Sequence, residues 1–256
     1  MVRPKKYLGQ HFLCDDNIAR KIIGCLSADT ENLLEIGPGK GILTKYLINT
    51  KSFNFKAIEI DQESVEYLIT QYPEYREKII HDDFLKIDLK KLYNSRISLI
   101  GNFPYNISSQ ILFKVLENKN KIQEVVGMFQ KEVAERISSE SGSRKYGILS
   151  VLIQAYYEIE YLFTVNENVF FPKPAVKSAV IRLKRNQVEM LDCDESLFMK
   201  IVKAGFNQRR KTLRNSLKNF NFSQPEILGE ILSKRAEQLG VKDFVFLTQN
   251  VNIETI

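Results

Sequence analysis

Asn32-Leu33-Leu34-Glu35-Ile36-Gly37-Pro38-Gly39-Lys40-Gly41-Ile42-Leu43-Thr44-Lys45-Tyr46-Leu47 is the stretch on which the fold turns. A short apolar run stops abruptly at glycines in alternate positions, and a second apolar run at helical spacing follows. This reads as strand, tight glycine turn and helix. Outward from it the alternation repeats: Phe55 to Ile60 as a strand, Gln62 to Gln71 as a helix, Lys78 to His81 as a strand. Further strands are predicted at Ile97 to Ile100 and Val125 to Phe129, each followed by a helix. Strands alternating with helices imply a mostly parallel sheet covered on both faces. Upstream, Asp15 or Asp16 can cap a helix whose Ile18, Ile22, Ile23 and Leu26 recur at helical spacing. Downstream, Ile159 to Phe163 and Ser178 to Leu183 are β-rich with no helical pattern between them, which predicts an antiparallel edge to the sheet. From Lys184 the β pattern is lost, and short helices are predicted over Glu195 to Gly205, Arg209 to Lys218, Gln224 to Leu232 and near Phe244. The expected fold class is α/β, with a domain over residues 1–183 and a small all-α C-terminal domain over 184–256.

Bulk composition narrows the function classes. With 256 residues, 44% of them hydrophobic, the chain can fill a sizeable core, so wholesale disorder is excluded. A net charge of +6 and a pI near 9.0 suit a polyanionic partner, although a moderate basic excess also serves solubility. Cys14, Cys25 and Cys193 form no CxxC pair, and only His11 and His81 are available besides, so neither a metal nor a disulfide is expected. The basic start Met1-Val2-Arg3-Pro4-Lys5-Lys6 is not followed by an apolar targeting segment, and no apolar run approaches a membrane span. A soluble cytoplasmic protein without a membrane partner is the expectation.

Glu35-x-Gly37-x-Gly39-x-Gly41 follows a strand and opens a helix, the context in which a glycine pattern indicates a ligand. Glycine permits the turn and lets a ligand lie against bare backbone. Dinucleotide sites use GxGxxG, with a pyrophosphate at the helix N-terminus. The GxGxG spacing here, with an acid two positions before it, resembles instead the first motif of Rossmann-like class I methyltransferases. Their ligand, S-adenosylmethionine, carries a sulfonium and an amino-acid end. Glu59 closes the second strand, where a carboxylate can accept both hydroxyls of an adenosine ribose, and Asp82 at the third strand end can accept from the adenine amine. Singly, each could be only a solvated strand-end acid; as an ordered set of strand ends they line one crevice.

Asn102-Phe103-Pro104-Tyr105 follows the fourth strand. An exocyclic amine on a base is a poor nucleophile because its lone pair is delocalised into the ring. Accepting both N–H hydrogens favours a more tetrahedral nitrogen as a methyl group arrives. Asn102 offers a side-chain carbonyl for one hydrogen, and the rigid turn at Pro104 can fix a backbone carbonyl for the other. Tyr105 offers a ring for the base to stack on, an interaction of about 1–3 kcal/mol per base in single-strand binders. The bland alternative, a proline turn with an incidental aromatic, loses weight in this position.

These residues together resemble the ribosomal RNA adenine dimethylase family, and within it the small-subunit dimethyladenosine transferases. The matching stretches are Lys5 to Leu13, Glu35 to Gly41, Gly101 to Asn106, Phe170 to Val180 and Phe206 to Leu217, in the family's order and over nearly the whole chain. The resemblance implies that His11, Leu13, Gly37, Glu59, Asp82 and Asn102 touch S-adenosylmethionine, with a role as base left as the alternative for His11. It implies that Phe170 supplies a second aromatic, so that the target adenine sits between Tyr105 and Phe170. It further implies N6,N6-dimethylation of two adjacent adenosines in a loop near the 3′ end of small-subunit ribosomal RNA, probed within an assembling subunit by a monomeric enzyme. Loop bases of this kind leave the stack at little cost. Two departures stand out: Asn is frequent where this chain has His11, and Leu where it has Phe103.

From Lys200 to Lys218 there are seven cationic residues and no acidic one. Such a run is ordinarily a solvated helix face. The resemblance turns Arg209, Arg210, Lys211 and Arg214 into candidate RNA contacts, joined near the cleft by Arg3, Lys5, Lys6, Arg144 and Lys145. The competing readings are a large-subunit adenine N6-methyltransferase of the macrolide-resistance type, a ribosome-assembly factor that binds without turnover, and a small-molecule amine methyltransferase.

Overall fold

The computed structural model describes residues 2–224 and 226–252; Met1 of the basic N-terminus and Pro225 of the expected 224–232 helix lie outside the described residues. The chain divides into two compact units, Met1–Ala134 with Glu158–Arg185, and Glu135–Tyr157 with Asn186–Ile256. The sequence placed a boundary at 183/184; by contacts, the second unit also takes the earlier segment 135–157.

In the first unit, β1 (Phe12–Leu13) leads into α1 (Asp16–Ile23), then β2 (Asn32–Ile36), α2 (Thr44–Leu47), β3 (Asn54–Glu59), α3 (Gln62–Gln71), β4 (Ile79–His81), β5 (Ile97–Asn102), α4 (Ser108–Glu117) and β6 (Ile122–Gln130); α5 (Lys131–Ile137) carries the chain across the division into the second unit. Of the two candidate caps it is Asp15 that holds α1, accepting from the Asn17 and Ile18 amides. Asp61 caps α3 in the same way through Glu63. After α6 (Ile148–Gln154) come β7 (Tyr157–Val165), β8 (Phe170–Phe171) and β9 (Ser178–Arg185). The seven-stranded sheet runs β4-β3-β2-β5-β6-β9-β7. β2 is parallel to both β3 and β5, as are β3 to β4 and β5 to β6, whereas β9 lies antiparallel to β6. β2, flanked by β3 and β5, is buried at all five residues, as a parallel strand covered on both faces must be. The two late strands are neighbours, but the later one is the inner one. β9 is buried at five of its eight residues and takes the place beside β6, while β7, with alternating exposure, forms the edge.

The second unit holds α7 (Glu195–Asn207), α8 (Leu213–Ser216), α9 (Gly229–Ser233) and α10 (Val241–Gln249). Tyr146, Phe206 and Phe244 pack ring against ring at its centre, with centroids 6.1 and 6.0 Å apart. The helix predicted over Arg209–Lys218 shrinks to the single turn of α8. Continuing it would require the Leu213 N–H to reach the Arg209 carbonyl, but that amide is taken by the Lys234 carbonyl at 2.8 Å. Arg209, Arg210 and Lys211 therefore lie in the preceding turn. Among the described residues, no helix is long and apolar enough to cross a membrane.

Candidate active site

The carboxyl ends of β2, β3 and β5 open into one crevice of about 750 Å³, counting the part open to solvent. Parallel α/β sheets bind ligands at this edge. Gly37, Gly39 and Gly41 have φ of 66°, 54° and 78°, so the turn after β2 depends on residues that adopt positive φ without strain. A Cβ on Gly37 would meet only Pro104 Cδ at 3.9 Å, leaving the backbone bare toward the crevice. At Gly39 a Cβ would fall 2.8 Å from the Phe12 ring.

Glu59 ties the glycine turn to the end of β3. Its Oε2 accepts from the Gly39 amide and its Oε1 from the Asp61 amide, both at 2.9 Å. One lone pair on each oxygen remains for a ligand. Burial raises the pKa of this carboxyl, with the backbone amides of Asp61, Gly39 and Ile60 opposing the rise. Glu35, at the inner end of the same turn, is fully buried and accepts from the Thr44 hydroxyl at 2.7 Å; burial pushes its pKa up to about 8. At the end of β4, Asp83 lines the crevice, not the expected Asp82. Asp82 continues the ladder with its N–H on the Glu59 carbonyl, and its exposed side chain turns back to accept from the Asp83 amide. The strand ends at His81, as the sequence suggested; in the turn that follows, Asp83 accepts from the Leu85 amide and is the acid that lines the crevice.

Asn102 is the last residue of β5. Its Nδ2 donates to the His11 carbonyl at 2.8 Å, which orients the amide and leaves Oδ1 with no donor among the described residues. The Phe103 ring is buried between Gly101 and Gly127, directly opposed residues of β5 and β6, and meets Phe129 edge-on at 5.1 Å. With its ring held there, Phe103 contributes main chain to the crevice lining, and among the described residues nothing donates to its carbonyl. The carbonyl expected to serve, that of Pro104, instead closes a turn by accepting from the Ile107 amide at 3.2 Å.

The Tyr105 hydroxyl is hydrogen-bonded to Ser178 Oγ, and the ring stacked on Tyr105 is the imidazole of His11, 5.3 Å away at 27°. His11 Nδ1 lies 2.7 Å from the Pro172 carbonyl and so carries the donated proton. Phe170, expected to face Tyr105, is 5% exposed and packs in the core, while Phe171 beside it is 58% exposed. Pairing of β8 with β1, Leu13 against Phe170 and Phe12 against Phe171, sets that alternation. Leu13 is likewise a core residue; it lines a smaller cavity that shares Phe12, Gly37 and Asn102 with the crevice. Lys5, read from the sequence as a candidate RNA contact, instead pairs with Asp61 in the N-terminal wall, where Gln10 also donates to Asp61 and Asn106 Nδ2 donates to the Tyr7 carbonyl; the sequence reading gave Gln10, Asp61 and Asn106 no role. It also passed over Ile60, an exposed apolar residue next to Glu59 that lines the crevice. The signal for Ile60 was its place directly after the strand-end acid.

Among the cations singled out in the second unit, Arg209 is spoken for. Its guanidinium donates to the carbonyls of Arg144 and Tyr146 and pairs with Glu237 at 2.9 Å. Arg210, Lys211 and Arg214 are exposed and make no side-chain bond among the described residues.

A sequence profile described as ribosomal RNA adenine dimethylase matches residues 1–236. The ribosomal RNA small subunit methyltransferase A of Cytophaga hutchinsonii is 55% identical over 249 residues, covering 96% of this chain and 96% of its own length. Among solved structures, a dimethyladenosine transferase from Plasmodium falciparum superposes with a TM-score of 0.78 at 25% identity, covering 93% of this chain and 96% of that one. A 23S rRNA methyltransferase shares the fold, with a TM-score of 0.68 at 23% identity over 93% of this chain and 100% of its own.

Proposed function

Because the chain belongs to the ribosomal RNA adenine dimethylase family, we propose that it uses S-adenosylmethionine to convert two adjacent adenosines of small-subunit ribosomal RNA into N6,N6-dimethyladenosine. The targets lie in a loop near the 3′ end, and the enzyme acts as a cytoplasmic monomer on an assembling subunit. The choice of the small subunit is supported by the name of the Cytophaga relative and by the extent of that match.

The observation that carries the reaction class is the orientation of the Asn102 amide. Its Nδ2 is committed to the His11 carbonyl, so the side-chain oxygen is the acceptor presented to a substrate. Beside it the Phe103 carbonyl, unpartnered among the described residues, takes the role first read into Pro104. Two acceptors on adjacent residues suit the two hydrogens of an exocyclic amine. Tyr105, with its hydroxyl tied to Ser178, offers a fixed ring for the base.

The residues present fit S-adenosylmethionine. Gly37 leaves room against bare backbone, and Glu59 keeps lone pairs for ribose hydroxyls. Asp83 stands where an adenine amine needs an acceptor, and the carboxylates at the strand ends suit a cationic ligand. Bound there, the cofactor would supply an electrophilic methyl group. Asn102 and Phe103 would accept the N6 hydrogens and so leave more electron density on the nitrogen that takes the methyl group, the methyl–sulfur bond of the sulfonium being the one that breaks. The proton released from the methylated nitrogen passes to water. Little acid–base work is needed, so catalysis is positioning and electrostatics.

The test is transfer of tritiated methyl groups from S-adenosylmethionine to unmodified small subunits, followed by nucleoside analysis. Dimethyladenosine in small-subunit RNA is expected. Label confined to large-subunit RNA, or to no RNA, overturns the reading.

A further inference from the structure

The second unit contains a groove that lies outside the crevice, and of its lining residues only Arg214 has been given a role so far, as a candidate RNA contact. Arg214 and Lys218, four residues apart on the turn of α8 and its continuation, stand along it. Phe220 and Phe222, both half-buried, form its apolar walls, and the exposed side chains of Asn221 and Asn252 reach its rim. Buried Leu217 and Leu232 make the floor. The wall is held by backbone: the Asn252 amide donates to the Asn221 carbonyl and the Ser223 amide to the Asn250 carbonyl, both at 2.8 Å. Neither cation has an acidic partner, and neither asparagine side chain has a hydrogen bond, among the described residues.

Each component matches one part of a nucleotide. Unpaired cations attract phosphate, aromatic rings accept a base face, and amides both donate to and accept from a base edge. A protein partner burying these rings would have to supply acids for two cations, whereas RNA carries that charge on every residue. We propose that the groove binds one unpaired nucleotide of the RNA substrate. Phosphate rests on Arg214 and Lys218, and the base lies against Phe220 and Phe222. This rests on the small-subunit RNA reading above, and it makes the second unit a reader of single-stranded RNA as well as a basic surface.

The experiment measures binding of the intact chain to unmodified small subunits as a function of salt, together with S-adenosylmethionine affinity and thermal stability. Phe222→Leu keeps apolar volume and removes the ring. It is expected to weaken RNA binding by about fivefold or more with cofactor affinity unchanged. Lys218→Gln is expected to lower the slope of log affinity against log salt by about 1. Asn252→Ala, at an exposed position, reports on the same groove should Phe222→Leu fold poorly, and is expected to weaken binding. Wild-type RNA affinity in both Phe222→Leu and Asn252→Ala overturns the groove. So does a change in the salt slope alone, which would leave only a phosphate surface. Failure of the wild-type chain to bind or methylate small subunits sinks the functional reading itself, and is seen before any variant is compared.

Discussion

At Asn102 one amide does two things: its nitrogen holds the N-terminal segment through His11, and its oxygen faces the crevice. Asn102→Ala is therefore expected to cut single-turnover methyl transfer by about 10²–10³, the range for loss of one preorganised polar group, while RNA affinity stays near wild type. Full activity in that variant would remove the acceptor from the mechanism. Glu59 has both oxygens on backbone amides. In Glu59→Gln one amide group must face an N–H donor, and cofactor affinity measured by calorimetry is expected to fall about tenfold or more. Glu35 makes a pH prediction. Burial is the main cause of its rise from 4.5 to about 8, opposed by the Thr44 hydroxyl. The folded state therefore holds the proton more tightly than the unfolded chain. The resulting stability is complete below the unfolded value and is lost as pH rises through about 8. Glu35→Gln keeps the acceptor for Thr44 and has no proton to lose. Thermal unfolding of the cofactor-free protein should show wild type losing ground to this variant as pH is raised from about 5 to about 9.

Between elements, the decisive fit is the slot for Phe103. Gly101 and Gly127 oppose each other on β5 and β6, and a Cβ on Gly127 would come within 2.4 Å of the Phe103 ring. Gly127→Ala is expected to cost about 1–3 kcal/mol and to displace the Phe103 carbonyl, lowering the methylation rate with cofactor affinity intact. Adding Phe103→Leu should restore part of both, a coupling that a double-mutant cycle measures. In the turn before α8, Arg209 and Arg210 should separate cleanly. Arg209→Ala loses three hydrogen bonds and is expected to lower stability by about 1 kcal/mol or more. Arg210→Ala should leave melting unchanged and lower the salt slope of RNA binding by about 1. The four cations looked alike in the sequence because charge is a property of the residue; whether a guanidinium is already satisfied depends on carbonyls some sixty residues away in the chain.

Across the whole molecule, the two units are not the two halves of the sequence. The segment Glu135–Tyr157 belongs to the second unit, where Tyr146, Val151 and Ile153 are buried. A chain cut after Arg185 would leave that segment without its partners; it is expected to aggregate or to lose a cooperative thermal transition, whereas the intact chain melts normally. A cooperative, soluble fragment would contradict the division. What the sequence determined by itself is what depends on local order. The strand–glycine–helix alternation, a cap at Asp15 or Asp16, the strand-end position of Glu59 and the Asn102 to Tyr105 turn follow from period, φ and spacing over a few residues. The tertiary structure alone decided which neighbour on each strand faces inward. It put Asp83 in place of Asp82, Phe171 outside and Phe170 inside, and the Phe103 carbonyl in place of that of Pro104. Which of two neighbours faces inward is set by hydrogen bonds to distant strands, such as Asp82 to Glu59 and β8 to β1, that no local pattern records.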